Sequence, residues 1–378
     1  MSPATLLQNL SPSSSTITIP PPAPKVTPPK QLKAAKPTKP LPRSLLEKSL
    51  LPASKKRPFT PSKHLIYDPP SKIHKMADFG LAGAGISPNA ISEPFPLLSE
   101  DAIAQMRSEI FSEEVMEQCR FRTDFCENMV RGMGHRRAPF TYDVFKSPDV
   151  LSKISEVAGI DLIPAWDYEI ANVNIAVKDD PVDLDMTQRD PDTSSTSINA
   201  TGETSAVTTP AKKDETPAFA WHYDSFPFVC VTMLSDCSGM IGGETAIKLP
   251  SGEIKKVRGP SMGYAVIMQG RYLEHQALKA LGGRERISLV TPFRPKDPLV
   301  TDEIVLAGVR CNSHLDELYP QYFEYRLDVL EERIRAMRRH EREREVRGER
   351  FDVEQRRAWL RVQWEFIGSM LEEMVVVK

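Results

Sequence analysis

The sequence predicts a mainly β domain with flanking helices, its strands folded as a sandwich or barrel between a disordered N-terminal tail and a helical C-terminal extension. Three observations carry this reading. Short β segments at 219–235, 243–249, 253–258, 262–269, 273–278 and 284–293 are separated by Gly and Pro turns such as Gly242-Gly243, Pro250-Ser251-Gly252 and Gly282-Gly283. Segments of helical period precede them, and the helical period returns after Asp316. A length of 378 residues suits one sizeable domain with flanking segments, or two small ones. The expected division is a tail over 1–75, a domain over 76–311 and an extension over 312–378.

The tail is read from composition. Residues 1–75 hold 16 of the 33 prolines and 13 Lys/Arg, against two acids, Glu47 and Asp68. Stretches such as Pro20-Pro21-Pro22-Ala23-Pro24 exclude helix and sheet interiors, and few large apolar groups are present to offset ordering entropy. Lys55-Lys56-Arg57-Pro58 could serve as a nuclear import signal, but a solvated basic tail is the favoured reading.

Order is expected to begin between Asp78 and Leu98. Ser99 caps a helix with Ile103, Met106 and Ile110 on one face. A second helix has Ser147 as its N-cap, Pro148 in its first turn, Val150, Leu151, Ile154 and Val157 as its stripe, and Gly159 as its stop. Trp166 to Val177 then reads as a strand with Ile170, Asn172, Asn174 and Ala176 on one face. Residues 178–216 are polar and turn-rich, and are expected to be a disordered surface insertion. In the C-terminal extension Leu327, Leu330, Ile334 and Met337 form one stripe, and Trp359, Val362, Phe366, Ile367 and Met370 another. Between them, residues 331–350 alternate arginine with glutamate, the pattern of an i,i+4-paired solvated face. These helices are expected to pack on the barrel; the alternative is a coiled coil or a homodimer through them.

Whole-chain composition excludes several functions. With 49 Lys+Arg against 51 Asp+Glu, the net charge of −2 argues against a protein built to grip nucleic acid. Five scattered cysteines with no CxxC pair exclude a disulfide scaffold and a thiolate zinc site, and fit a reducing compartment. No run approaches the ~18 apolar residues of a membrane span, and the N-terminus lacks a signal-peptide core. The expected location is intracellular, cytoplasmic or nuclear, with no membrane partner.

The chemistry centres on Trp221-His222-Tyr223-Asp224. In an extended strand alternate side chains share a face, so His222 and Asp224 offer an imidazole and a carboxylate to one divalent metal. Of the seven histidines, His275 lies within the strand region, 51 residues after Asp224. Two His and one carboxylate with the remaining positions open is the ligand set of non-haem Fe(II) oxygenases. Eleven residues beyond His275 stands Arg286-Ile287-Ser288, where a guanidinium and a hydroxyl share a face and can reach one carboxylate.

The run His222-x-Asp224, Gly242-Gly243-Glu244-Thr245, Gly263, His275 and Arg286-x-Ser288 resembles the signature of 2-oxoglutarate- and Fe(II)-dependent dioxygenases, over about residues 160–295. Trp221-His222-Tyr223-Asp224-Ser225 and Gly270-Arg271-Tyr272-Leu273-Glu274-His275 look most like fungal-type members of that superfamily. The resemblance implies a double-stranded β-helix, a jelly-roll core braced by helices. It implies Fe(II) on His222, Asp224 and His275, with 2-oxoglutarate chelating the iron and its far carboxylate held by Arg286 and Ser288. It further implies O2 as oxidant, succinate and CO2 as products, and oxidation of an unactivated C–H in a small molecule. The anchoring Arg in this superfamily commonly stands about ten residues after the second His; Arg284 at nine and Arg286 at eleven both share the required face, and Arg286 has the Ser partner. Asn172 and Asn174 are candidates for binding co-substrate or substrate, or for satisfying barrel-end backbone groups. Tyr168, Trp166 and Phe226 are candidates for a pocket wall or for core. Competing readings are a protein or nucleic-acid oxygenase and an inactive β-helix scaffold.

Overall fold

The computed structural model describes residues 22–26, 35–37, 40–122, 128–177, 221–257, 261–278, 280–281 and 285–376. The expected insertion at 178–216 and the first 21 residues of the tail lie outside them. Helix outweighs strand, so the chain is a mixed helical and antiparallel-sheet protein rather than a mainly β one.

Ten strands form the larger sheet. Its main path runs through β1 (Ile73–Lys75), β2 (Asn89–Ser92), β12 (Tyr264–Met268), β8 (Phe228–Met233), β15 (Glu285–Pro295), β7 (Asn172–Val177), β5 (Met129–Val130) and β4 (Arg120–Phe121). Two short strands hang on its edges: β3 (Phe95–Pro96) pairs with β12, and β6 (Leu162–Pro164) with β15. A three-stranded sheet joins β11 (Ile254–Val257), β10 (Thr245–Lys248) and β13 (Glu274–Ala277), and a two-stranded one joins β9 (Ile241–Gly242) to β14 (Ala280–Leu281). All named pairings are antiparallel.

Each face of the larger sheet has its own core. Cys230, Ile267, Ile287, Leu289, Val173 and Ile175 point to the helices α2 (Glu100–Ile110), α3 (Pro139–Lys146) and α4 (Pro148–Ala158). The alternate residues Val229, Val266 and Met268 meet Ile247 and Val257 of the small sheet, with Val231 and Val290 against the same cluster. This period-two alternation defines an inner, inter-sheet face and an outer, helix-covered face. The helix signals hold: Ser99 Oγ accepts from Ala102 N–H at 3.2 Å, and Gly159 ends α4 with a φ of +73°. The strand expected from Trp166 starts later, at Asn172. Residues Asp167–Glu169 form a 3₁₀ turn, and Ala171 takes a positive φ of 64°, which breaks the extended run.

The N-terminal boundary also moves. Residues 40–75, expected as disordered tail, carry the helix α1 (Arg43–Ser49) and a turn of helix at Pro61–His64. Leu41 and Leu45 are buried in the main core, and Phe59, Leu65 and Tyr67 pack against it. His64 is buried between Phe59 and Phe140, its Nε2 3.1 Å from Asp101 Oδ2. A few apolar residues at the right spacing suffice when a ready-made surface awaits them; average composition conceals this.

The C-terminal helices α5 (Leu315–Val346) and α6 (Val353–Glu373) join the domain through Trp166, Tyr168 and Phe226, which are core residues rather than pocket walls. Trp166 stacks on Tyr325 at 5.1 Å and 16°. The expected stripe on α5 is displaced: the buried face is Leu318, Tyr322, Tyr325, Arg326, Val329, Arg333 and Ala336, whereas Leu327 and Ile334 are exposed. The reason is that two arginines are buried. The guanidiniums of Arg326 and Arg333 lie over the Phe366 ring at 3.4 and 4.3 Å. Arg326 pairs with buried Asp302 at 3.4 Å, and Arg333 donates to the carbonyls of Pro298 and Val300.

Candidate metal centre

His222 and His275 face each other across a short antiparallel bridge, each N–H donating to the other's carbonyl at 3.0 Å. Asp224 N–H donates to the Gly270 carbonyl at 3.0 Å. Two backbone links thus draw the His-x-Asp segment onto the β13 segment before the regular strand begins at Phe228, later than the sequence suggests. The alternation that puts both side chains on one face survives, because the segment is extended without being laddered.

The three ligand atoms lie within 4.8 Å of one another. Asp224 Oδ1 is 3.6 Å from His222 Nε2 and 3.7 Å from His275 Nε2, too far for hydrogen bonds to either. Neighbouring ligands on one metal, each bonded at about 2.1 Å, stand roughly 3 Å apart, so small side-chain rotations bring all three onto one ion. The His275 Nδ1–H donates to the Leu273 carbonyl at 2.9 Å, which leaves Nε2 as the lone pair facing Asp224. Burial pushes the His275 pKa down to about 4, against the pull of Asp224, so the ring is a neutral donor. His222 is 42% exposed where His275 is 8%, so the cluster is closed on one side and open on the other. The donor set fits a divalent cation with three protein ligands and free positions.

Gly270 supports the carboxylate in a way the sequence did not signal. A Cβ at this position would collide with Asp224 Oδ2, so only glycine lets Asp224 sit against the chain there. Its neighbour Arg271 is buried and donates from Nε to the Glu303 carbonyl at 3.0 Å and from Nη1 to the Pro24 carbonyl. Tyr272 Oη–H donates to Glu303 Oε2 at 2.6 Å, and Ala23 N–H to Glu303 Oε1 at 2.9 Å. Residues 22–26 are therefore tied to the segment that presents His275.

Arg286 and Ser288 lie on β15 opposite Ala176 and Asn174 of β7, and Ser288 is also opposite Met233 of β8. Val290, two residues on, belongs to the inter-sheet cluster with Ile247, and Ile247 is the β10 partner of His275. By alternation Arg286, Ser288 and His275 all point into the space between the sheets. The Arg286 guanidinium is half-buried, burial lowers its pKa, and it makes no hydrogen bond or ion pair among the described residues. A desolvated cation in that condition suits an anionic ligand. Arg284, the alternate anchor, lies outside the described residues.

Asn172 and Asn174 share this inner face, and the Oδ1 of each is buried without a hydrogen-bond partner. Asn172 Nδ2–H donates to Glu169 Oε2 at 2.9 Å, and the fully buried Glu169 accepts from Arg131 Nη2–H at 2.5 Å. Arg131 in turn donates to Asn312 Oδ1 at 2.7 Å. This Arg131–Glu169 pair was not legible in the sequence, because its members come from separate segments.

No protein-family model matches the chain, and no curated protein sequence matches it. Solved structures do. An oxidoreductase of the 2OG-Fe(II) oxygenase family from Burkholderia pseudomallei is 12% identical, covering 44% of this chain and 67% of its own, with a TM-score of 0.28. The non-heme alpha ketoglutarate dependent epimerase SnoN from nogalamycin biosynthesis is 16% identical over 45% of this chain, with a TM-score of 0.29; the match spans 61% of that protein. A prolyl 4-hydroxylase structure from Phytophthora capsici is 12% identical, covering 75% of this chain and 89% of its own, with a TM-score of 0.32. With every one of these TM-scores below 0.5, the functional reading rests on this chain's own geometry. Among the described residues no helix is long and apolar enough to cross a membrane.

Proposed function

We propose that this chain is a 2-oxoglutarate- and Fe(II)-dependent dioxygenase that oxidises an unactivated C–H of a small molecule, such as an amino acid or secondary metabolite. The observation that carries the reading is the pairing of two features. The ligand atoms of two histidines and one carboxylate converge to within 4.8 Å of one another, and the guanidinium of Arg286 faces the same inter-sheet space with no partner among the described residues. The connectivity agrees with a double-stranded β-helix: from β8 onward the chain passes between the two sheets, with β10 and β11 in the small one, β12 in the large, β13 in the small and β15 in the large.

In this reading His222, Asp224 and His275 hold Fe(II), which when bound couples O2 to the decarboxylation of 2-oxoglutarate to succinate and CO2 and to oxidation of the substrate. Leu273 fixes the His275 ring so that Nε2 is the ligand atom, and Gly270 lets the Asp224 carboxylate approach. Arg286, with the Ser288 hydroxyl, pairs the far carboxylate of 2-oxoglutarate and so orients its keto acid end toward the metal. Asn172 and Asn174 offer acceptor oxygens to donors on the co-substrate or substrate. Val229, Val231, Val266 and Val290 line the same space with apolar groups that exclude water.

The test is succinate release by the full chain supplied with Fe(II), 2-oxoglutarate and O2 and screened against amino acids and small metabolites. A substrate that raises succinate at least about tenfold, with no rise in Asp224→Ala, is the expected result. If metal and 2-oxoglutarate bind but only peptides or nucleic acids stimulate turnover, the small-molecule assignment is wrong. If neither binds, the chain is a scaffold.

A further inference from the structure

The C-terminal hairpin has a second apolar face. Beside the buried residues Tyr322, Arg326 and Arg333 of α5 stand exposed Phe323, Leu327 and Ile334, each one position further along. Beside buried Trp359, Gln363, Phe366 and Met370 of α6 stand exposed Leu360, Trp364, Ile367 and Leu371, again one position on. One residue turns a helix by about 100°. In two antiparallel helices that face each other, the same turn taken in each chain direction carries both rows to the same side of the pair. Arg326 against Ser369, and Met337 against Trp359 and Val362, set the register. That register puts Phe323 level with Leu371, Leu327 with Ile367, half-buried Leu330 with Trp364, and Ile334 with Leu360. Trp364 and Leu371 are 74% and 75% exposed. A run of large apolar groups at four levels on one side of a hairpin is half of a four-helix interface.

The charges beside that face identify its occupant. The end nearer the domain, residues 315–332 and 364–376, holds nine carboxylates and one arginine, the buried Arg326. The far end, residues 333–363, holds eleven arginines and six carboxylates. Along the flanks, Glu324, Glu365 and Glu372 stand at the near end and Arg338, Arg357 and Arg361 at the far end. All six are exposed, and none is in an ion pair among the described residues. A surface that is acidic at one end and basic at the other is complementary to itself when a second copy is turned end for end. Parallel stacking would set arginine on arginine and glutamate on glutamate.

We propose that this face binds a second copy of the chain, forming an antiparallel four-helix interface about a two-fold axis that passes near Trp364. Centred on Leu330 and Trp364, the stretch of α5 from Tyr319 to Glu341 is about 33 Å long, its apolar rows from Phe323 to Ile334 taking about 17 Å of it, and two helices are about 20 Å wide. Roughly 700 Å² per partner is then available, close to the ~800 Å² of a stable interface. The proposal is independent of the metal centre, since no residue of the face belongs to it.

Sedimentation velocity of the full chain from about 1 to about 100 μM tests it. The expected result is a dimer that weakens with added salt, and in Trp364→Glu a dissociation constant raised roughly 100-fold. Because Trp364 is three-quarters exposed, that substitution leaves the hairpin's own packing in place. Two charge-reversed chains supply the orientation test: Arg357→Glu with Arg361→Glu, and Glu365→Arg with Glu372→Arg. Each alone is expected to be monomeric at concentrations where the wild type pairs, and a one-to-one mixture is expected to restore dimers. A wild type that stays monomeric throughout, whether another protein or residues 1–21 cover the face, overturns the proposal. So does a Trp364→Glu chain that pairs as tightly as wild type, or a mixture of the charge variants that fails to pair.

Discussion

The end of the small sheet that carries the candidate ligands and the seam between the C-terminal helices both take ionisable side chains out of water, and they treat them differently. At the seam, Asp302, the carbonyls of Pro298, Val300 and Phe366, and the Phe366 ring close around Arg326 and Arg333. At the sheet end, His222, Asp224 and His275 stop just short of bonding one another. The first arrangement is charge-paired within the chain, Arg326 with Asp302, although Arg326 Nε and Nη1 are buried without a hydrogen-bond partner, and it serves packing. The second leaves one carboxylate and two imidazoles turned toward a common point, the donor set that suits a divalent cation. Burial of charge is therefore no mark of function by itself; convergence of a metal-ligating donor set is the distinguishing feature.

Asp224→Ala is expected to have the largest effect and to sharpen the contrast. Loss of the only carboxylate ligand should weaken metal binding at least about 1000-fold while leaving the thermal unfolding of metal-free protein nearly unchanged, measured by cobalt titration and calorimetry. Asp302→Ala should do the reverse. It strips two buried guanidiniums of their anion and should cost about 4 kcal/mol of stability in denaturant unfolding, with metal affinity intact.

The third expectation concerns pH. The pKa of His275, lowered to about 4 in the fold from an ordinary 6.5, means that the unfolded chain binds the extra proton between those values. Metal-free protein should then lose stability as pH falls from about 6.5 to about 4, by at most about 3 kcal/mol, and recover it above that window. Arg333, its pKa lowered to about 10 by burial, stays charged throughout. A flat stability profile over this range would break the comparison. Smallest is Gly270→Ala, which should displace the Asp224 carboxylate and weaken metal binding roughly 30-fold, with a modest change in stability.

How much of this the sequence showed follows the same division. The convergence of His222, Asp224 and His275 was legible because it depends on residue type and on an alternation that even an irregular extended segment keeps. Ser99 and Gly159 were legible as helix ends because caps are local. The face of α5 was not: a stripe of Leu327, Leu330, Ile334 and Met337 is the natural apolar reading, and only tertiary structure shows that Arg326 and Arg333 take the inner side. Gly270 was visible in the sequence, but its reason, the approach of a carboxylate from another segment, was not. The fold of residues 40–75 was hidden by proline-rich and basic composition, since Leu41 and Leu45 matter through the surface they meet and not through their number.

The most direct test of the central claim is anaerobic addition of Fe(II) and then 2-oxoglutarate to metal-free protein, followed through the visible metal-to-ligand charge-transfer band. The expected result is a band that saturates at one iron per chain, is absent in His275→Ala, and in Arg286→Ala requires at least about tenfold more 2-oxoglutarate. Well-folded wild-type protein that gives no band, or a band indifferent to both substitutions, would contradict it.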